Sequence, residues 1–349
     1  MFCVVGAKIA FHPSDRRADL NSQSNMLQSF TALITIFFVA TFFTLAEGQT
    51  PVRVGILVQE MERAQSQAIK GLSAGLKELG YQERKNLFFE TRNVKGNRAA
   101  LQPAAGELLA RKVTAIFTTG TSATRAALAA THEVPIVFVY PGDPIVAGLI
   151  KGDGEQPKNL TGVAAYAAAT SERRLVLFKE IIPELKKILV FYDANNNFSR
   201  ENYNAIEAAA KKLGLQATGW GIKSAEELKT TLSSVRGEPG AGIFQIADDL
   251  FESESEFLFA TARAKKLPTM FNEEVWAIRG ALAAYGPSYL DMGRRAAGLL
   301  DRIIKGAPAA SLPVERAAKF DLTLNYRTAN FIGIQFSPDM LKKADKVIR

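Results

Sequence analysis

The fold of this chain is decided by residues 115–130, AIFTTGTSATRAALAA. The apolar start, residues 115–118, predicts a short buried strand, and the alanine-rich remainder predicts a helix. Between them lies a small polar turn, Thr119-Gly120-Thr121-Ser122, in which Thr121 or Ser122 can cap the helix. Because the first turn of a helix has free N–H groups and positive potential, this turn is predicted to hold an anion if it faces a cleft.

The composition excludes several classes of protein. The chain has 349 residues, enough for two lobes with separate cores. Its formal net charge is +8, but the basic residues are scattered along amphipathic helices, which indicates a solvated surface and not a nucleic-acid interface. Cys3 is the only cysteine, and His132 is the only histidine after the first 48 residues. The body of the chain is therefore predicted to have no metal or cofactor site and no thiol nucleophile.

The first 48 residues form a separate amino-terminal extension. Residues 21–46 carry no charge, and residues 27–45, LQSFTALITIFFVATFFTL, are strongly apolar. Arg16 and Arg17 precede this run, and small residues follow it at cleavage-like spacing. The pattern predicts a secretory signal peptide that is removed on export, with an uncleaved membrane anchor as the alternative. Met26 is a possible second start, although a chain that begins there lacks the positive flank.

The body of the chain alternates strands and helices in two similar series. Its strand-like segments include VRVGILVQ (52–59), NLFFETRNV (86–94), PIVFVY (135–140), KILVFY (187–192) and PTMF (268–271). This alternation predicts an α/β protein with two doubly wound, Rossmann-like lobes, each built on a parallel sheet.

The carboxyl-terminal part is predicted to cross between the two lobes. After Gly280, the strand-like ALAAYG and a helix at residues 288–305 are expected to return to the first lobe, and residues 320–325 to the second. The first lobe would then comprise residues 51–164 and 280–312, and the second would comprise residues 165–279 and 313–349. Several crossings of this kind make a hinge, and the cleft beside it is the expected ligand site.

Candidate ligand-binding residues follow the strand ends that would face this cleft. In the first lobe, Thr119, Gly120, Thr121 and Ser122 are expected to bind a carboxylate, and Gln59 is a further candidate after the first strand. One such turn supplies too little binding energy alone, so closure of the second lobe is expected to add the rest.

The second lobe offers polar residues after three strands. The residues after KILVFY are Asn195, Asn197 and Ser199. They can contact a ligand, or they can form a turn and cap the next helix. The aspartates can pair with an ammonium group, or cap the helix that follows them. The candidates are Asn195, Asn197, Ser199, Asp248, Asp249, Asn272 and Glu273. Four aromatic residues can line the cleft or pack in the core and hinge: Tyr140, Tyr166, Trp276 and Tyr285.

Five segments of the body resemble a known family. They are TTGTSATRAALAAT (118–131), PIVFVYPGDPIVAGLI (135–150), NLTGV (159–163), AAYGPSYLDMGRRAAGLLDRIIKG (283–306) and LPVERAAKFDLTLNYRTANFIGI (312–334). The last segment is the most specific. Together they are similar to the tryptophan/tyrosine-type substrate-binding proteins of bacterial ABC importers, which have the type I periplasmic-binding-protein fold.

The resemblance implies a function without catalysis. A monomeric, exported protein of the periplasm would close on a small carboxylate-bearing ligand, an aromatic or other amino acid, and present it to a membrane permease. No GxGxxG, GxxxxGK[ST] or GxSxG motif indicates an enzyme. The first 48 residues lack a helix-turn-helix pattern, which disfavours a transcription regulator. A membrane-tethered or periplasmic ligand sensor of the same fold is the alternative.

Overall fold

The computed structural model describes Pro51–Arg349 except residues 153–154, 167–169, 247–250 and 252, and omits the side chains of residues 197 and 198. The predicted signal segment, residues 27–45, lies outside the described residues. Within the described part of the chain, the helices are too short or too polar to span a lipid bilayer.

The first sheet has six parallel strands. Their spatial order is β11-β5-β4-β3-β1-β2. The strands are β1 (Val52–Val58), β2 (Leu87–Asn93), β3 (Ala115–Thr119), β4 (Ile136–Tyr140), β5 (Leu160–Ala164) and β11 (Glu315–Arg316). Buried apolar clusters cover both faces of this sheet, which explains why its central strands are almost continuously hydrophobic.

The second sheet has seven strands. Their order is β13-β12-β10-β9-β8-β6-β7, and every pair is parallel except β10 with β12. The strands are β6 (Lys187–Asp193), β7 (Gln216–Ile222), β8 (Ala241–Phe244), β9 (Thr269–Phe271), β10 (Ala283–Pro287), β12 (Phe320–Asn325) and β13 (Lys346–Ile348). It too is covered on both faces by buried apolar side chains.

Helices connect the strands in both lobes. Those described are α1 (Arg63–Glu78), α2 (Leu101–Ala110), α3 (Thr121–Ala130), α4 (Ser171–Ile181), α5 (Asn197–Lys212), α6 (Ala225–Ser234), α7 (Ser255–Ala264), α8 (Glu274–Arg279), α9 (Tyr289–Ile304), α10 (Tyr326–Ile332) and α11 (Pro338–Lys343). Short 3₁₀ helices lie at Arg98–Ala100 and Ala309–Ser311.

Two strands lie in a different sheet from the one that the sequence predicts. Strand β10 was expected in the first lobe, but it pairs with β9 and β12 in the second sheet. Conversely, the sequence predicts residues 315–316 in the second lobe, but they form β11, which pairs with β5 in the first sheet. Sheet partners are non-local, so the apolar pattern of a short strand does not distinguish between two similar sheets.

Helix α9 returns to the first lobe as predicted, and glycines allow a very close approach to α1. A Cβ atom on Gly293 would lie 1.9 Å from the main-chain oxygen of Ala68, and one on Gly71 would lie 2.0 Å from that of Leu290. The two helices therefore pack with almost no side chain between them at these points. This contact fixes the end of the second crossing onto the first lobe.

The chain crosses between the two lobes three times. The crossings lie between Ala164 and Ser171, between β10 and α9, and between β11 and β12. The first connection spans seven residue steps, which reach at most about 25 Å. It leaves the carboxyl end of β5 and enters α4, whose first turn contacts the carboxyl end of β8. An ion pair between Arg63 and Glu274 joins the segments that follow the carboxyl ends of β1 and β9, so the carboxyl edges of the two sheets border one cleft there.

Candidate functional site

The first-lobe edge of the cleft is the turn between β3 and α3. Gly120 occupies the N-cap position with φ 79°, ψ 170°, a conformation that favours glycine. The cap was predicted at Thr121 or Ser122, but both lie inside the first helical turn. No side chain caps this helix. Its first N–H groups are therefore left without a side-chain acceptor, because the residue at the cap has no side chain to offer.

Thr119 ends β3 beside this turn and has an unusual hydroxyl. Its side chain is 6% exposed, and Oγ1 has no hydrogen-bond partner. The preceding Thr118 is different, since its Oγ1 lies 2.8 Å from Oγ1 of Thr124, which in turn donates to the main-chain oxygen of Gly120. Thr118 thus stabilises the turn. Thr119 instead has a hydroxyl without a hydrogen-bond partner, next in sequence to the uncapped start of α3.

Gln59, the remaining first-lobe candidate, directly follows β1 at the same sheet edge. It is partly buried, and its main-chain oxygen accepts a hydrogen bond of 2.8 Å from the Gly96 N–H. The structure therefore places Gln59 at the cleft border and uses its backbone to join two loops.

Three second-lobe candidates lie after β6, one in the loop and two in the first turn of α5. Asn195 is exposed and donates through Nδ2 to the main-chain oxygen of Lys223 at 3.3 Å. Ser199 is buried, and its Oγ accepts from the Asp193 N–H at 3.2 Å. Helix α5 begins at Asn197, so Asn197 and Ser199 lie in its first turn. These contacts hold the loop together, which is the turn-forming role that the sequence left open for them. Asp248 and Asp249 lie outside the described residues.

Asn272 and Glu273 follow β9. Asn272 is 4% exposed; its N–H donates to Oε1 of Gln245 at 3.2 Å, and its own Oδ1 has no partner. Glu273 accepts a 2.8 Å hydrogen bond from the hydroxyl of Tyr289. Burial raises the pKa of Glu273, the Tyr289 hydrogen bond opposes this, and the nearby negative charge of Glu62 adds to it. Asn272 thus brings a second unsatisfied polar atom to the cleft edge.

Arg174, in the first turn of α4, is a polar residue that the sequence analysis did not identify. It is 3% exposed, donates to the main-chain oxygen of Gln245 at 3.1 Å and to Oγ of Ser171 at 3.2 Å, and its Nε has no partner. Its guanidinium lies 4.6 Å from the ring centre of Phe244. Burial lowers the pKa of Arg174 to about 9, so it stays charged at neutral pH.

A sequence signal for Arg174 existed. It lies four residues before Phe178 and seven before Ile181, on the apolar stripe of α4 whose other members are buried. A charged residue on the buried face of an amphipathic helix needs a partner, and that mismatch distinguishes Arg174 from its exposed neighbour Arg173.

Charged side chains join the lobes near the second crossing. Arg63, at the start of α1, pairs with Glu274 at 2.9 Å, and Glu62 pairs with Arg279 at 3.4 Å. Glu274 also pairs with Lys346 at 2.8 Å. Beside these pairs is a cavity with about 350 Å³ of empty volume, including space open to solvent, which Glu273 and Tyr289 help to line. These exposed pairs bridge the cleft border at modest energetic gain.

The aromatic candidates divide into two groups. Trp276 is buried against Phe259 and Phe271, and Tyr285 stacks on Phe320, so both pack in the core. The remaining two, Tyr140 and Tyr166, are half-buried at the first-lobe edge. The guanidinium of Arg316 lies 4.2 Å from the ring centre of Tyr166, which links β11 to the segment that follows β5.

The described side chains offer binding groups and no sign of a metal centre. Among the residues that the structure describes, no group of three or more His, Cys, Asp or Glu could hold a metal ion. Unsatisfied atoms of Thr119, Asn272 and Arg174 instead gather at the two carboxyl edges. Such an arrangement can hold a polar ligand by hydrogen bonds and charge.

Comparison with known proteins gives a consistent picture. The family model described as ABC transporter substrate binding protein matches residues 53–348. A curated relative, the "Tyrosine-binding protein" of Clostridioides difficile (strain R20291), is 26% identical over 276 residues, which is 79% of each chain.

Solved structures share the architecture. A ligand-free, open substrate-binding protein with adhesive properties from Clostridium difficile has a TM-score of 0.71 at 23% identity, covering 85% of this chain and 99% of that one. An ABC domain in complex with L-Trp from Streptococcus pneumonia has a TM-score of 0.68 at 23% identity, covering 85% and 100%. These likenesses confirm the predicted α/β fold with two lobes of the periplasmic-binding-protein type.

Proposed function

Because the chain belongs to the family of ABC transporter substrate-binding proteins, we propose that it captures a small carboxylate-bearing ligand, an aromatic or other amino acid, in the interlobe cleft and delivers it to the permease of an importer. Members of this family bind small molecules for a membrane transporter and act outside the cytoplasm; they are not enzymes. Membership therefore makes the chain a substrate-binding protein of an ABC transporter. Export by a cleaved signal peptide, a periplasmic location and a monomeric state are part of the proposal.

The observation that carries the proposal is the pairing of Thr119 with the uncapped start of α3. The buried Oγ1 of Thr119 has no partner, and the N–H groups of the adjacent helical turn have no side-chain acceptor. A carboxylate at this position would accept from the hydroxyl and from the backbone, and the helix dipole would favour its charge. A turn built only for stability would use its threonine as Thr118 is used.

Energetics require the second lobe to take part. A helix terminus contributes about 0.3–2 kcal/mol to anion binding, and each hydrogen bond to a charged group contributes about 1.5–3 kcal/mol. Micromolar affinity corresponds to about 8 kcal/mol after the cost of association. The first-lobe turn falls short of this sum, so affinity depends on further interactions that the second lobe makes with the ligand when the lobes close.

The ligand class rests on two supports. The uncapped turn favours a carboxylate, and the proteins similar to this chain include one named for tyrosine and one bound to L-Trp. Tyr140 and Tyr166 at the first-lobe edge could contact an aromatic ring. We therefore favour L-tyrosine and L-tryptophan among the amino acids.

The test is a thermal-shift measurement on the purified protein with L-tyrosine, L-tryptophan and the other amino acids. Tyramine, which is tyrosine without its carboxylate, is the matched control. A ligand at one hundred times its Kd stabilises the protein by about 2.7 kcal/mol. We expect an aromatic amino acid to raise the Tm and tyramine to have no effect. Equal stabilisation by tyramine, or none by any amino acid, would contradict the proposal.

A further inference from the structure

The second-lobe edge contains a buried charge that has no counter-charge among the described residues. The guanidinium of Arg174 has five N–H groups, and its two hydrogen-bond acceptors, the oxygens of Gln245 and Ser171, are neutral. No carboxylate among the described residues forms an ion pair with it, although 19 such pairs occur elsewhere. Burying an unpaired charge is costly, so this arrangement opposes folding and needs another explanation.

The position of Arg174 supplies that explanation. Its first acceptor, Gln245, directly follows β8, and the side chain of Gln245 accepts from Asn272, which directly follows β9. The three residues thus form one buried network at the carboxyl ends of adjacent parallel strands, where ligands bind in open α/β sheets. The network retains an unsatisfied donor on Arg174 and an unsatisfied acceptor on Asn272.

An apolar cavity adjoins this network. It has about 210 Å³ of empty volume, including space open to solvent, and Phe191, Phe244, Gln245 and Phe251 are among its lining residues. Phe244 and Gln245 are also the residues that Arg174 contacts. A fixed guanidinium beside aromatic side chains is suited to bind an anionic group through a full charge and bidentate hydrogen bonds.

We infer that Arg174 is the ligand-binding cation of the second lobe and that it binds the carboxylate of the solute when the lobes close. The inference rests on the proposed function, because it needs a solute in the cleft. It adds a full positive charge on the side opposite the Thr119 turn, so that a carboxylate is held from both lobes. The buried charge would then be neutralised by the ligand and not by a protein carboxylate.

Two variants separate this role from a structural one. Arg174→Met keeps much of the volume and removes the charge. We expect its affinity for L-tyrosine and L-tryptophan to fall about 10- to 150-fold, the equivalent of one hydrogen bond to a charged group. Its stability towards urea should equal or exceed that of the parent, because an unpaired buried charge is gone. Arg173→Met, on the exposed face of the same helix, is the matched control and should leave affinity unchanged.

Titration calorimetry with L-tyrosine and L-tryptophan measures the affinity of the parent and of both variants. Unchanged affinity in Arg174→Met would overturn the inference, and the proposed function would stand. If Arg174→Met does not fold, Arg174→Gln replaces it, because glutamine is neutral and still offers hydrogen-bond donors. A fall in affinity for L-tyrosine then supports the inference, and unchanged affinity overturns it.

A parent protein that binds neither amino acid would contradict the proposed ligand and still leave Arg174 testable. Acetate, benzoate and succinate are then used as probes in the melting assay. Stabilisation of the parent that Arg174→Met lacks supports the inference. No stabilisation of the parent by any of the three carboxylates overturns it.

Discussion

The two edges of the cleft use different chemistry. The first-lobe edge is neutral and offers the hydroxyl of Thr119 and the open end of α3. The second-lobe edge has a full charge, buried at Arg174 without an ionic partner in the described part of the chain. A neutral edge loses less than a charged edge when the cleft is empty, because an unpaired hydroxyl costs less to bury than an unpaired charge. A charged edge gains most from a ligand, which gives closure of the second lobe an energetic reason.

The difference suggests a division of roles. Dipoles and hydroxyls determine the geometry of an anion with little desolvation cost, whereas a guanidinium supplies strength and bidentate recognition. On this account the first lobe positions the carboxylate and the second lobe holds it in the closed state. Variants that alter one edge at a time test whether the two lobes have these separate roles.

An effect as large as that of Arg174→Met is expected at the first-lobe edge, where neighbouring threonines form a matched pair. Thr119→Val removes an unpartnered hydroxyl, so affinity for L-tyrosine should fall about 10- to 150-fold, while stability stays equal or rises by up to about 1 kcal/mol. Thr118→Val breaks the hydrogen bond to Thr124 and should cost about 1 kcal/mol of stability with no loss of affinity. Titration calorimetry and urea unfolding measure both quantities.

The reverse pattern would contradict the account of this edge. If Thr118→Val weakens binding and Thr119→Val does not, then the turn serves only to support α3. Parallel losses in both variants would mean that the turn acts through its shape and not through the free hydroxyl.

A smaller effect is expected at Glu273, through pH. Burial raises the pKa of Glu273 above its unfolded value of about 4.3, so the folded state holds the proton more tightly than the unfolded state. The stabilisation that results is complete below the unfolded pKa and is lost as pH rises through the folded pKa. Glu273→Gln keeps an acceptor for Tyr289 and cannot ionise. The variant should therefore gain stability relative to the parent as pH rises from 4 to 8.

Urea unfolding at several pH values tests this prediction. Glu274→Gln is the control, because it removes a neighbouring carboxylate that is paired with Arg63 and Lys346 and should lower stability at neutral pH. A Glu273→Gln profile that runs parallel to that of the parent would show that this carboxyl does not carry the pH dependence.

Much of the fold could be predicted from the sequence, because its signals are local. The segment at residues 115–130 forms a strand, turn and helix as predicted, with β3 one residue longer than expected. The N-cap residue is Gly120 and not the predicted Thr121 or Ser122, because the cap position has a φ of 79°, which suits glycine. The capping propensities of Thr and Ser do not indicate this backbone conformation. The sheet that receives β10 depends on distant partners, so its placement could not be predicted from its own residues.

The candidate site was less predictable. Thr119 and Asn272 were identified from their positions after strands, and both have unsatisfied buried atoms. Nothing local distinguished Ser199, whose hydroxyl is used by its own loop. Arg174 was overlooked because arginines on helices are usually solvated, although its place on the apolar stripe of α4 was visible. Burial is a property of the whole fold, and it decides which polar atoms are left for a ligand.

The most direct test is the structure of the complex with L-tyrosine or L-tryptophan. Our account predicts a carboxylate in the cleft that contacts both lobes. It should lie about 3 Å from the guanidinium of Arg174, and about 3 Å from either the Thr119 hydroxyl or the first N–H groups of α3. A ligand whose carboxylate points away from both edges, or one that binds outside the cleft, would contradict it.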